Sequence, residues 1–127
     1  DGSSRIGRPE GPAVGEVNRG DVVLAAAAGD YGKPRPWLVV QTDVYNHSAR
    51  PGSILACPFT THEEPATYRI SMDLPSGDSQ RRSWLMVDKL MAIKRERIGA
   101  KVTTASMSQL AAVEGAMAAL LGLRAPG

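Results

Sequence analysis

The stretch Arg19–Asp43, RGDVVLAAAAGDYGKPRPWLVVQTD, places Lys33-Pro34-Arg35-Pro36 directly ahead of an apolar run. Each proline biases the residue before it away from helical geometry, towards β or polyproline II. Proline also fixes its own φ and donates no ladder hydrogen bond. Lys33 and Arg35 are therefore expected on a stiff, extended lead-in to a buried strand. Being two residues apart, they should project to one face. A guanidinium held that way is a permanently charged fork of donors that suits a carboxylate or a phosphate. From the residues alone both partners stand open: a carboxylate of the chain, such as Asp30 or Asp88, or an anionic ligand.

A second cluster is Thr60-Thr61-His62, at the end of the apolar stretch SILACPFT. Threonine hydroxyls both donate and accept, and an imidazole titrates near neutral pH. The bland alternatives are a strand-end threonine and a solvated loop histidine. Tyr31 and the adjacent Arg81-Arg82 pair are further groups able to meet a nucleic acid through stacking and charge. Trp37 and Trp84 lie inside apolar runs and are read as core. His47, His62 and the single Cys57 are too scattered to make a metal site by spacing, so no metal or other cofactor is expected.

These groups need strands to hold them. Apolar runs at about 20–27 and 36–42 form two strands, the second apolar on both faces as a central strand should be. Residues 42–52 read as a polar connection. Ser53–Thr60 forms a third strand, with Pro58 marking a bulge or an edge. Residues 67–73 alternate Tyr68, Ile70 and Met72 against Arg69, Ser71 and Asp73, the period of a half-exposed strand. Pro75–Arg82 reads as a polar, mobile loop, followed by short strands at 84–87, 90–93 and 100–103. Lys94–Arg97 reads as a solvated charged connection, and the five methionines as core filler. Ser106 with Gln109 makes a capping box. Leu110, Val113, Met117, Leu120 and Leu121 then recur at helical spacing up to Gly122. Short strands followed by one helix predict a mainly β fold, a small barrel closed by a C-terminal helix.

The 127 residues suit one domain. Residues 1–17 are rich in Gly, Ser and Pro and read as a flexible N-terminal tail, 18–123 as the domain and 124–127 as a C-terminal tail. A net charge of +2 permits a nucleic-acid partner without demanding one. No apolar run reaches the roughly 20 residues that cross a bilayer. With one cysteine and no hydrophobic leader in view, a cytoplasmic protein is expected.

Taken together, RGDVVLA, GKPRPWLVVQTD, ILACPFTT and WLMVDKLMAI, followed by a capped helix, resemble the PemK/MazF family of toxin–antitoxin toxins over roughly residues 18–123. The resemblance implies an SH3-like, strongly bent β-barrel with a C-terminal helix, a homodimer and a neutralising antitoxin. It also implies a metal-independent, sequence-specific endoribonuclease acting on single-stranded RNA. In that chemistry the substrate's 2′-hydroxyl attacks, leaving a 2′,3′-cyclic phosphate and a 5′-hydroxyl. Arg35 falls on the catalytic arginine of the family's Arg-Pro motif and Thr60 on its catalytic threonine. Thr61 stands where a serine is usual. Asp88 matches an aspartate that some members use in proton transfer, but those members carry an arginine where this chain has Met86. His62 is the obvious proton acceptor by chemistry, with no family pattern behind it. Lys33, Tyr31, Arg81 and Arg82 are expected to bind RNA. Two other functions share the barrel: a gyrase poison resembling the CcdB-like toxins, and a binding module without activity.

Overall fold

The computed structural model describes residues 16–27 and 33–123. Seven strands and two helices follow one another: β1 Asp21–Ala25, β2 Arg35–Val39, α1 Asp43–Asn46, β3 Ser53–Thr60, β4 Arg69–Ser76, β5 Ser79–Met86, β6 Met91–Lys94, β7 Ile98–Thr104 and α2 Met107–Leu121. The strands form one antiparallel sheet in the order β4-β5-β3-β2-β1-β7, with β6 also paired to β3.

Residues of the central strands feed two cores, one on each face. Val23, Ala25, Trp37, Val39, Ile54 and Ala56 enter the first core, closed by Val17, Ile93 and Ile98. Their alternate neighbours Val22, Leu38, Cys57 and Phe59 enter the second, with Leu85 from β5 and Val113 from α2. Such strands read as continuous apolar runs because both faces are covered. The bent, mainly β sheet with a C-terminal helix agrees with the expected architecture.

β3 shows why Pro58 is tolerated. On one side it pairs with β2 throughout its middle. On the other it pairs with β6 at Ser53–Ala56 and with β5 at Phe59 and Thr60, leaving Cys57 and Pro58 in the gap. A residue without an N–H costs least where no neighbour needs it.

Several local expectations are corrected. Pro75–Arg82 is not a loop: it is the tip of a hairpin, with Ser76 paired to Ser79 across Gly77-Asp78. Gly77 holds φ 59°, a left-handed value that glycine adopts without steric cost. The segment lacks an apolar stripe because its tip is exposed on both faces, so period-two hydrophobicity had nothing to report. β4 is also the sheet edge, where Pro75 is harmless. Residues 42–52 contain α1, whose N-cap Thr42 accepts from Val44 N–H. Of the methionines, Met72 and Met86 are buried, but Met91 and Met107 are 39% and 87% exposed. Arg95, expected in solvent, donates to the carbonyls of Tyr45, Asn46 and Pro51 at 2.7, 2.9 and 2.9 Å. Val17, placed in the N-terminal tail, is a core residue. Residues 1–15 of that tail and the 124–127 tail lie outside the described residues.

The capping box is formed as read: Ser106 Oγ accepts from Gln109 N–H and Gln109 Oε1 accepts from Ser106 N–H. Gly122 terminates α2 at φ 69°. No helix among the described residues is long and apolar enough to cross a membrane.

Candidate active site

Three strands meet where β2 begins. The β2–β3 register pairs Trp37 with Pro58 and Leu38 with Cys57; continued to the head of β2, it sets Arg35 opposite Thr60. Thr60 in turn pairs with Trp84 on β5. Beside this junction lies a cleft of about 610 Å³, within the range of small-ligand sites. Pro34, Pro36, Phe59, Leu74 and Pro75 form its apolar walls, and Lys33, Arg35, Thr60, Thr61, Ser76, Arg81 and Ser83 its polar lining.

All four residues from Lys33 to Pro36 line the cleft. On β5 the lining follows strand periodicity, with Arg81 and Ser83 two residues apart within it. Arg82 between them points to the opposite face and pairs with its cross-strand partner Asp73 at 2.7 Å. Thr60 is oriented by the chain that follows it: its Oγ1 accepts from His62 N–H at 3.1 Å. That bond engages one lone pair of the hydroxyl and leaves its proton available to donate. The lining thus gathers cations and hydroxyls, with no Asp, Glu or His among the described lining residues.

Other expected residues stand elsewhere. His62 contributes its backbone to Thr60 but does not line the cleft. Tyr31 lies outside the described residues. Asp88, in the single 3-10 turn after β5, also lies off the cleft and is bound bidentately by Arg69 at 2.8 and 3.1 Å. The Arg69 hydrogen bond holds the Asp88 carboxyl below the usual carboxylate range, and the same bond raises the guanidinium. Arg69 also reaches Glu64 at 3.4 Å, tying the segment after Thr60 to this turn. A carboxylate with both oxygens engaged is a weak proton acceptor.

Sequence reasoning placed Trp84 in the core with Trp37, and the two differ. Trp37 is 2% exposed and its indole N–H donates to Ala25 O at 3.0 Å. Trp84 is half-buried and belongs to neither core. Only strand pairing distinguishes them, since both sit in similar apolar strings. Arg69 was likewise missed, because one arginine in an alternating strand carries no signal of its own.

The family profile described as "PemK-like, MazF-like toxin of type II toxin-antitoxin system" matches residues 18–121. The chain belongs to the PemK/MazF toxin family. The "Probable endoribonuclease MazF" of Mycolicibacterium smegmatis is 33% identical over 110 residues, covering 84% of this chain and 98% of that protein. A mycobacterial endoribonuclease in complex with its cognate antitoxin superposes with TM-score 0.71 at 20% identity, covering 87% of this chain and 99% of the other. MazF in a MazE–MazF crystal structure from Deinococcus radiodurans gives TM-score 0.68 at 26% identity, covering 85% and 98%.

Within this MazF-type toxin the departure at Met86 has a structural counterpart. Met86 is buried, and its cross-strand partner on β4 is Arg69. The guanidinium beside Asp88 therefore comes from the neighbouring strand.

Proposed function

We propose that this toxin is a sequence-specific, metal-independent endoribonuclease that cuts single-stranded RNA and so inhibits translation and growth. The observation that carries the reading is the cleft, where Lys33, Arg35 and Arg81 converge with the Thr60 hydroxyl and no acidic side chain among the described lining residues. Such a site attracts a phosphodiester. The substrate's 2′-hydroxyl attacks phosphorus and the bond from phosphorus to the 5′-oxygen breaks; the proton given up by the 2′-hydroxyl is balanced by the one the 5′-oxygen takes up, giving a 2′,3′-cyclic phosphate and a 5′-hydroxyl. Arg35 binds the non-bridging oxygens as charge builds on them, and the flanking prolines limit the reorganisation this requires. Thr60, oriented by His62 N–H, donates to the same phosphate and positions the nucleophile. Thr61 supports that contact. Lys33 and Arg81 bind flanking phosphates, and Tyr31 adds stacking. His62 supports the reaction by orienting Thr60. Asp88 supports it by anchoring, through Arg69, the segment that follows Thr60. Arg82, held by Asp73, is at most a peripheral contact.

The partners follow from the relatives. The mycobacterial and Deinococcus radiodurans structures include an antitoxin, so a cognate antitoxin is proposed; a homodimeric toxin and a cytoplasmic site of action are proposed on the family resemblance. Primer extension on RNA incubated with the protein in EDTA tests the activity. Cuts at a short recurring sequence are expected, and Arg35→Ala should slow cutting by about 10²- to 10³-fold with unchanged circular dichroism. RNA left uncut by a wild type that still arrests growth refutes the reading.

A further inference from the structure

We propose that Ser83 reads the edge of one nucleobase of the RNA, as a hydrogen-bond acceptor at the floor of the cleft; this deepens, and rests on, the endoribonuclease reading. Among the described residues the buried polar ones are Asp21, Gln41, Asn46 and Ser83. The first three are bonded at ordinary lengths. Asp21 accepts from Asn18 N–H at 3.0 Å, and the Gln41 and Asn46 amides bond each other at 3.1 Å, with Asn46 also donating to Gln41 O at 2.7 Å. Ser83 is the exception. Only 5% exposed, it has one side-chain contact among the described residues, Oγ to Arg81 O at 3.4 Å. Hydroxyl bonds to oxygen cluster at about 2.7–2.8 Å, so this one is weak. Burying a hydroxyl so poorly bonded costs stability.

The position of Ser83 says what that oxygen serves. Two residues from Leu85 on β5 and paired with Met72 on β4, it lies on the face that packs into the second core. Phe59 and Leu74 belong to that core and also line the cleft, as Ser83 does. The cleft therefore opens off apolar core, and Ser83 supplies a hydroxyl at the boundary. Apolar walls with a few fixed polar groups make a pocket that holds a ligand and selects its orientation. Bases of single-stranded RNA are splayed out, and are read in such pockets by hydrogen bonds to their edges. The contact with Arg81 O engages only the hydroxyl proton, so both lone pairs of Oγ stay unused. Their complement is a donor, and the exocyclic amine of adenine, cytosine or guanine is one that uracil lacks. Arg81, two residues back and also in the lining, attracts phosphate of any sequence, whereas Ser83 selects.

Randomised single-stranded RNA, cut in EDTA and sequenced at the new ends, gives the preferred sequence of wild type, Ser83→Ala, Ser83→Thr and Arg81→Ala, with melting curves as a folding control. Ser83→Ala should melt no lower than wild type and lose the preference for an amino-bearing base at one position. Ser83→Thr keeps the hydroxyl and should keep that preference, while Arg81→Ala should slow all sequences alike. Wild type is then assayed on its preferred RNA with each amino-bearing base replaced in turn by its analogue without the amine: purine for adenine, hypoxanthine for guanine, pyrimidin-2-one for cytosine. One replacement should lower kcat/KM by about 3- to 10-fold, and Ser83→Ala should be indifferent to it. If every replacement costs wild type less than about 3-fold, the role of Ser83 is overturned without recourse to any variant. A folded Ser83→Ala that selects as wild type does, or that slows all sequences uniformly, overturns it too and leaves the endoribonuclease reading intact. A wild type that cuts no RNA overturns both.

Discussion

Removing the Asp88 carboxylate separates two roles that this residue could play. In Asp88→Asn the Arg69 guanidinium keeps its place in β4 and loses the bidentate partner at 2.8 and 3.1 Å. The Arg69 side chain is only 8% exposed and Asp88 26%. Breaking a fully buried pair by removing one member costs about 3–5 kcal/mol. Partial exposure of Asp88 and the remaining Glu64 contact at 3.4 Å reduce this to about 2–3 kcal/mol. For a domain near 100 residues that is a fall in Tm of roughly 10–15 °C, read at one fixed protein concentration. The effect has a pH signature. A carboxyl whose folded pKa lies below its unfolded value stabilises above the unfolded value, and loses that contribution as pH falls through the folded one. The ordinary value is 3.8. The gap between wild type and Asp88→Asn should therefore be full at neutral pH and close below about pH 4. Differential scanning calorimetry at several pH values, beside RNA cleavage at a temperature where the variant is folded, completes the assay. A variant that melts with wild type and has lost cleavage would refute the anchoring role and make Asp88 a proton-transfer group.

Two other outcomes follow from particular contacts. Arg95→Ala should cost about 2 kcal/mol, since three carbonyls lose a charged donor, and hydrogen exchange should show the loss concentrated at residues 45–52. Cys57 is fully buried; desolvation first, then the Asp88 charge, pushes its thiol up to about 12. The native protein should therefore resist a thiol reagent at mildly alkaline pH and react once guanidinium unfolds it.

Much of the fold was legible because local chemistry and tertiary packing agree. Ser106, Gln109 and Gly122 mark the ends of α2 by hydrogen bonds that close within a few residues. Ser53–Thr60 is bounded as read, since an apolar run between turn residues admits few other structures. The extended entry to β2 is favoured by proline stereochemistry and completed by the pairing of Arg35 and Pro36 with Ala25 and Leu24 of β1. The hairpin at 69–86 was not legible in the same way. Its tip is polar on both faces, so its pairing is decided by backbone bonds between strands and by Gly77, neither of which produces a periodic pattern.

The candidate site divides similarly. Residue types and order singled out Arg35, Thr60 and Thr61, and these line one cleft together with Lys33. Which of the remaining groups join them is a matter of strand register, a long-range property that one sequence does not display. Alternation along β5 turns Arg81 into the cleft and Arg82 away from it, though the two are chemical twins in the sequence. Register also brings Arg69 to Asp88 from a strand away and sets Trp84 beside Thr60. Hydrogen bonds between distant strands made those choices, and only the folded chain brings such strands together.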